Sequence, residues 1–130
     1  MIGTSNAFDR FISQKTIALT TFRRNGTPVS TPVNIVVDGD RAYFRTWDKA
    51  GKAKRLRRNT LVEIAPSTFG GKPEGDSMRA RARLLTDEES RWARRALRRK
   101  HPLLQGVAVP LGHRLLRYRT QHYELTPDPE

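Results

Sequence analysis

Two dipeptides, Asn25-Gly26 and Asp38-Gly39, constrain this chain more than anything else in it. A two-residue turn of type I′ needs positive φ at both central positions, which Asn, Asp and Gly tolerate and other residues resist. Extended-favouring runs flank each dipeptide: Thr16 to Phe22 before the first, Pro28 to Val37 between them, and Arg41 to Trp47 after the second. That pattern predicts a three-stranded antiparallel meander. Pro28 and Pro32 imply that its second strand is an edge, a bulge or interrupted, because proline donates nothing to a ladder.

The rest of the chain fits the same architecture. Phe8, Phe11 and Ile12 share the i, i+3, i+4 spacing of a short helix over residues 6 to 14, which Ser5 or Asn6 would cap. Leu61 to Ala65 predicts a fourth strand, and Phe69 to Asp76 (FGGKPEGD) a loop. Met78 to Leu85 alternates apolar residues with Arg79, Arg81 and Arg83, the pattern of a half-buried strand. Thr86-Asp-Glu-Glu89 is a capping box opening a helix to about Lys100, with Trp92, Ala93, Ala96 and Leu97 as its apolar stripe. His101-Pro102 ends it. A final strand is expected from roughly Leu115 to Leu125, with residues 126 to 130 (TPDPE) as a loose tail. Six or so short strands with two or three short helices make a mainly β chain, a small antiparallel barrel forming a single domain over residues 1 to 130.

Charge narrows the possible functions. The chain carries a formal +12 in 130 residues, and two blocks concentrate it. One runs from Lys49 to Arg58 and the other from Arg91 to Lys100, neither interrupted by an acid. Such a field gathers anions: nucleic acid, a phosphorylated cofactor or an acidic substrate, unless it is simply a solvated surface. No cysteine is present, which excludes disulfides, thiolate metal sites and cysteine nucleophiles. His101, His113 and His122 are too scattered to suggest metal ligation, and no nucleophile–base or paired-carboxylate pattern stands out. There is no membrane-length apolar run, and Asp9 and Arg10 fall where a signal peptide would need an apolar core. A cytoplasmic protein is therefore expected.

The first basic block has a further property. Arg45-Thr46-Trp47 end the third strand and lead into a helix with Lys52 in its first turn. Lysine there opposes the helix dipole, whereas an anion bound to the free N–H groups would favour both.

Strand, hairpin, strand and basic helix, with P-V-S-T-P-V, then F-R-T and G-K-A-K-R-L-R-R-N, resemble the split β-barrel flavin-binding proteins. More closely, the chain looks like the coenzyme F-420 (deazaflavin) dependent branch of the pyridoxamine-phosphate-oxidase-like superfamily. The resemblance implies a homodimer with cofactor sites between subunits and a small-molecule substrate. It places the ring along Ser30, Thr31, Pro32, Val33 and Asn34. It assigns the phosphate to Arg45, Thr46, Trp47 and Lys52, with Lys49, Ala50 and Gly51 as the loop. Where the FMN-binding oxidases usually carry Ser-Arg before that lysine, this chain has Ala50-Gly51, a version closer to the deazaflavin branch. The acidic tail of coenzyme F-420 would then follow Lys54, Arg55 and Arg58. The implied activity is hydride transfer to a conjugated organic substrate. The sequence names no proton donor; bulk water and Tyr43 are the candidates. Three alternatives stand beside it: an FMN-binding oxidase, a non-catalytic flavin, deazaflavin or haem carrier, and a nucleic-acid-binding barrel.

Overall fold

The computed structural model of the protein describes residues 7–102 and 120–128. In chain order these form a 3-10 turn (Asp9–Phe11), β1 (Thr16–Phe22), β2 (Pro28–Asn34), β3 (Val36–Asp38), β4 (Arg41–Trp47) and α1 (Gly51–Arg58). β5 (Leu61–Pro66), β6 (Met78–Leu84), α2 (Asp87–Lys100) and β7 (Thr120–Pro127) follow. The strands form one antiparallel sheet in the order β2-β1-β5-β6-β7-β4-β3. β2 and β3 are its two edges, yet only Ile35 separates them in the chain. The sheet therefore has to curl until its edges meet, which makes it a split barrel.

This closure corrects the predicted meander. The expected second strand, Pro28 to Val37, breaks at Ile35, so that β2 pairs with β1 while β3 pairs with β4 on the opposite edge. Its prolines are tolerated because β2 has only one ladder partner. The two hairpins form, with shifted turns. Gly26 at φ 90° closes the first, its N–H donating to the Arg23 carbonyl at 2.8 Å. Asp38 pairs with Arg41, so Gly39 at φ 62° and Asp40 are the loop residues of the second.

The predicted N-terminal helix contracts to a single 3-10 turn. Phe8 and Phe11 are fully buried, whereas Ile12 is 56% exposed, so the apolar face is two residues wide and no longer helix is needed. They join Ile17, Leu19, Ile35, Phe44, Ile64 and Leu125 in the barrel core, where Phe44 and Tyr123 stack at 5.1 Å. Each such side chain contributes roughly 1.5–3 kcal/mol by burial.

α2 matches its sequence signals closely. The Glu89 N–H donates to Thr86 Oγ1 at 3.2 Å and the Thr86 N–H donates to Glu89 Oε1 at 2.9 Å, completing the capping box. Ala93, Ala96 and Leu97 are buried, while Trp92 lies edge-on against Tyr43 at 4.8 Å and stays 39% exposed. At the other end His101 Nε2 donates to the Ile35 carbonyl at 3.0 Å, and Lys100 Nζ donates to the Gln14 carbonyl at 2.7 Å. The helix thus clamps the point where the barrel closes. The expected tail is also corrected: Thr126 and Pro127 complete β7, and Asp128 pairs with Arg79 at 3.2 Å and Arg81 at 3.6 Å. The predicted strand residues 115–119 lie outside the described residues.

Candidate functional site

Barrel closure brings edge strand β2 against the end of β4 and the start of α1. A cavity of about 300 Å³ opens there, lined by Pro32, Val33, Asn34, Arg45, Thr46, Trp47, Ala50 and Lys52. Its two charged side chains, Arg45 and Lys52, are both cationic, and Asn34 and Thr46 are its neutral polar ones. α1 begins without a side-chain cap, and its first hydrogen bond runs from the Lys54 N–H to the Ala50 carbonyl at 3.2 Å. The N–H groups of Gly51, Lys52 and Ala53 precede that bond, at the positive end of the helix dipole.

Two side chains reinforce this. Arg45 Nη2 is buried without a hydrogen-bond partner among the described residues, and burial first, then the charges of Arg94 and Arg98, lower the Arg45 pKa to about 10. Lys52 is half-buried and makes no ion pair with a described residue; burial first, and Arg55 second, push its ammonium below the usual lysine range. Removing cations from water without a counter-charge is unfavourable. An anion in this cavity relieves both.

A larger cavity of about 420 Å³ is lined by Leu56, Ala82, Leu84 and Tyr123 together with Arg57, Arg81, Arg83 and Glu124. Its charges are largely committed. Arg83 bonds Glu89 at 3.0 Å and Glu124 at 3.2 Å, and Arg81 pairs with Asp128. The smaller cavity has the unmet electrostatic demand.

Of the sequence-derived candidates, Pro32, Val33, Asn34, Arg45, Thr46, Trp47, Ala50 and Lys52 share the cavity wall. Ser30 and Thr31 lie farther along β2, opposite Thr20 and Leu19, outside the lining. Lys49 and Gly51 are exposed beside it. Arg55 is diverted: its Nε donates to Thr21 Oγ1 at 2.5 Å, and its Nη1 would sit 2.9 Å from any Cβ at position 51. Glycine at 51 therefore lets Arg55 cross the helix start toward β1 rather than reach into the cavity. Tyr43, a proposed proton donor, is engaged elsewhere, its hydroxyl 3.5 Å from Glu124 and its ring beneath Trp92. Arg94 and Arg98 had no place in the sequence-derived site. Their basic block was visible, but only packing of α2 on β4 brings them near Arg45.

A barrel that closes on one residue, with an unpaired cationic cavity beside the closure, defines a split-barrel protein suited to an anionic ligand. The chain matches the family model for pyridoxamine 5'-phosphate oxidase over residues 4–123, and it belongs to that family. No curated protein matches it. Among solved structures, a putative 5-nitroimidazole antibiotic resistance protein from Bacteroides thetaiotaomicron is 18% identical with a TM-score of 0.67, over 98% of this chain and 81% of that one. A heme binding protein from Mycobacterium smegmatis is 20% identical with a TM-score of 0.64, over 98% and 53%. An F-420 reductase is 14% identical with a TM-score of 0.60, over 96% of both chains. The chain spans about half the length of the Mycobacterium protein, and 48% of a protein of unknown function from Agrobacterium tumefaciens (21% identical over 88% of this chain, TM-score 0.63). At these identities the likeness is one of fold.

Among the described residues no helix is long and apolar enough to cross a membrane, and no cluster of three potential metal ligands occurs.

Proposed function

We propose that the protein binds coenzyme F-420 in this cavity and acts as a reductase, carrying a hydride between the deazaflavin and a small conjugated organic substrate. The observation that carries this is the unpaired cationic pair, Arg45 and Lys52, beside an uncapped helix start. Those groups suit a phosphodiester. Pro32, Val33 and Trp47 offer apolar surface for a ring, and Asn34 and Thr46 offer polar contacts at its edge. The deazaflavin would supply the hydride, and the chain would supply orientation and a water-poor wall. FMN is the competing ligand. The absence of a Ser-Arg pair before Lys52, where Ala50-Gly51 stand, favours the deazaflavin.

A carrier role on the same cavity is the second reading, favoured by one observation. No carboxylate, histidine or tyrosine lines the cavity, and the one lining group suited to general acid work, the Lys52 ammonium, is the group that the bound anion would engage.

Equilibrium titration with coenzyme F-420, FMN, haem and single-stranded DNA at moderate salt tests both. Tightest binding of coenzyme F-420, with turnover of enones or quinones, is the expected result. Tight binding without turnover across such a panel favours the carrier. Preference for FMN or haem, or DNA binding without deazaflavin affinity, overturns the proposal.

A further inference from the structure

The larger cavity has an apolar wall that the fold leaves open. Met78, Ala80, Ala82 and Leu84 alternate on one side of β6, and Ala80 and Ala82 are buried there at 0% and 3% exposure. A methyl group at position 82 does not fill the space beside Leu56 of α1 and Tyr123 of β7, and a cavity of about 420 Å³ remains. Leu84, paired with Tyr123 at the strand end, lines the same space and stays 47% exposed. The Tyr123 hydroxyl is engaged, donating to Gln121 Oε1 at 3.2 Å, so the surface Tyr123 has left to offer is its ring. Four apolar side chains from three elements thus converge on one opening. A ligand that removes them from water is favoured by their burial.

The charged residues of the lining are not equivalent. Glu124, the lining's one carboxylate, is held by Arg83 at 3.2 Å and by Arg41, outside the cavity, at 3.0 Å. Arg83 also pairs with Glu89 at 3.0 Å, and Arg81 reaches Asp128 at 3.6 Å. No carboxylate of the lining is left for Arg57, whose Nη1 lies 3.5 Å from the Asp48 carbonyl, at the outer limit of a hydrogen bond. Thr60 lines the same space, its hydroxyl equally loose at 3.5 Å from Arg81 Nη1. A cation in the last turn of α1 also suits the helix dipole, but Arg58 meets that need without lining a cavity. We propose that this cavity is a second small-molecule site, which takes an apolar molecule carrying a single carboxylate. Its apolar body would cover Leu56, Ala82, Leu84 and Tyr123, and its carboxylate would meet Arg57 and Thr60. One negative charge matches the one guanidinium that the lining does not answer. The site is independent of the cofactor reading, because Lys52 stands in the first turn of α1, Leu56 and Arg57 stand in its last, and no residue lines both cavities.

Calorimetric titration of the full chain with 2-naphthoate, and with 2-naphthylmethanol as its uncharged counterpart, tests this. The parent is expected to bind the acid roughly threefold to thirtyfold more tightly than the alcohol. Arg57→Gln should bring the acid down to the alcohol's affinity and leave the alcohol unchanged. Leu84→Ser should weaken both ligands alike, because it removes apolar surface that they share. Both positions are exposed, so both variants should keep the parent's circular dichroism and unfolding midpoint. Lys52→Ala should bind 2-naphthoate as the parent does. Loss of the acid in Lys52→Ala, with Arg57→Gln unaffected, would place the ligand in the smaller cavity and overturn the inference. Equal affinity of the parent for acid and alcohol, binding of neither, or undiminished binding in Leu84→Ser overturns it as well.

Discussion

Lys52 and Arg45 carry charge that no described residue pairs, and this separates their contribution to binding from their contribution to stability. Lys52→Ala is expected to weaken cofactor binding by about 1–3 kcal/mol, the range for a lost hydrogen bond to a charged group. Lys54→Ala removes an exposed neighbour and should cost under about 1 kcal/mol. Equally small losses at both positions, measured by titration, would remove the anion site. Arg45→Met should lower affinity and yet leave the unfolding midpoint unchanged or raise stability by about 1 kcal/mol, because an unpaired buried charge is replaced by an apolar chain of similar reach. A variant that unfolds more easily but binds normally would make Arg45 a structural residue instead.

At the scale of single elements, α2 is the most informative. Its capping carboxylate does two jobs, since Glu89 accepts from the Thr86 N–H and from Arg83 on β6. Those bonds hold the Glu89 pKa at about 2, below the ordinary carboxylate value, with Arg83 the larger cause. The ionised form is thus favoured in the folded chain. Its contribution is present above about pH 4.5 and lost as pH falls from there toward 2. Glu89→Gln should therefore unfold more easily than the parent at pH 7 and match it near pH 2, as read from denaturation midpoints. A gap of equal size at both pH values would refute the linkage.

The capping box was legible because all its parts lie within four residues, and so were the glycines of the two hairpins. The break at Ile35 was not, because it comes from the closure of the whole sheet and not from any local preference of Val33 to Val37. Part of the candidate cavity wall was legible in the same way. Arg45, Thr46, Trp47 and Lys52 belong to one strand–helix junction, which local patterning places together. The turn of Arg55 away from the cavity was not legible, because its partner, Thr21, lies 34 residues away.

For the whole molecule, the cavity's size bears on assembly. About 300 Å³ is at the small end for a site proposed to enclose a tricyclic ring. A second subunit is the proposed source of the missing wall, and exposed Phe69 (75%) and Ile12 (56%) offer apolar surface for the contact. Light scattering is expected to report twice the 14.9 kDa chain mass at micromolar concentration. A monomer that retains bound cofactor would contradict the dimer. The strand order has a different consequence, one that concerns the nascent chain. β7 lies between β4 and β6 and follows both in the chain, so contacts such as Tyr43 with Glu124 span 81 residues. Until β7 emerges from the ribosome, β4 and β6 each present an open edge on which another chain could pair. Arg79, Arg81 and Arg83 stud β6 throughout that interval, and like charge deters such pairing. The arginines that brace β7 in the finished barrel also guard the place it has yet to fill.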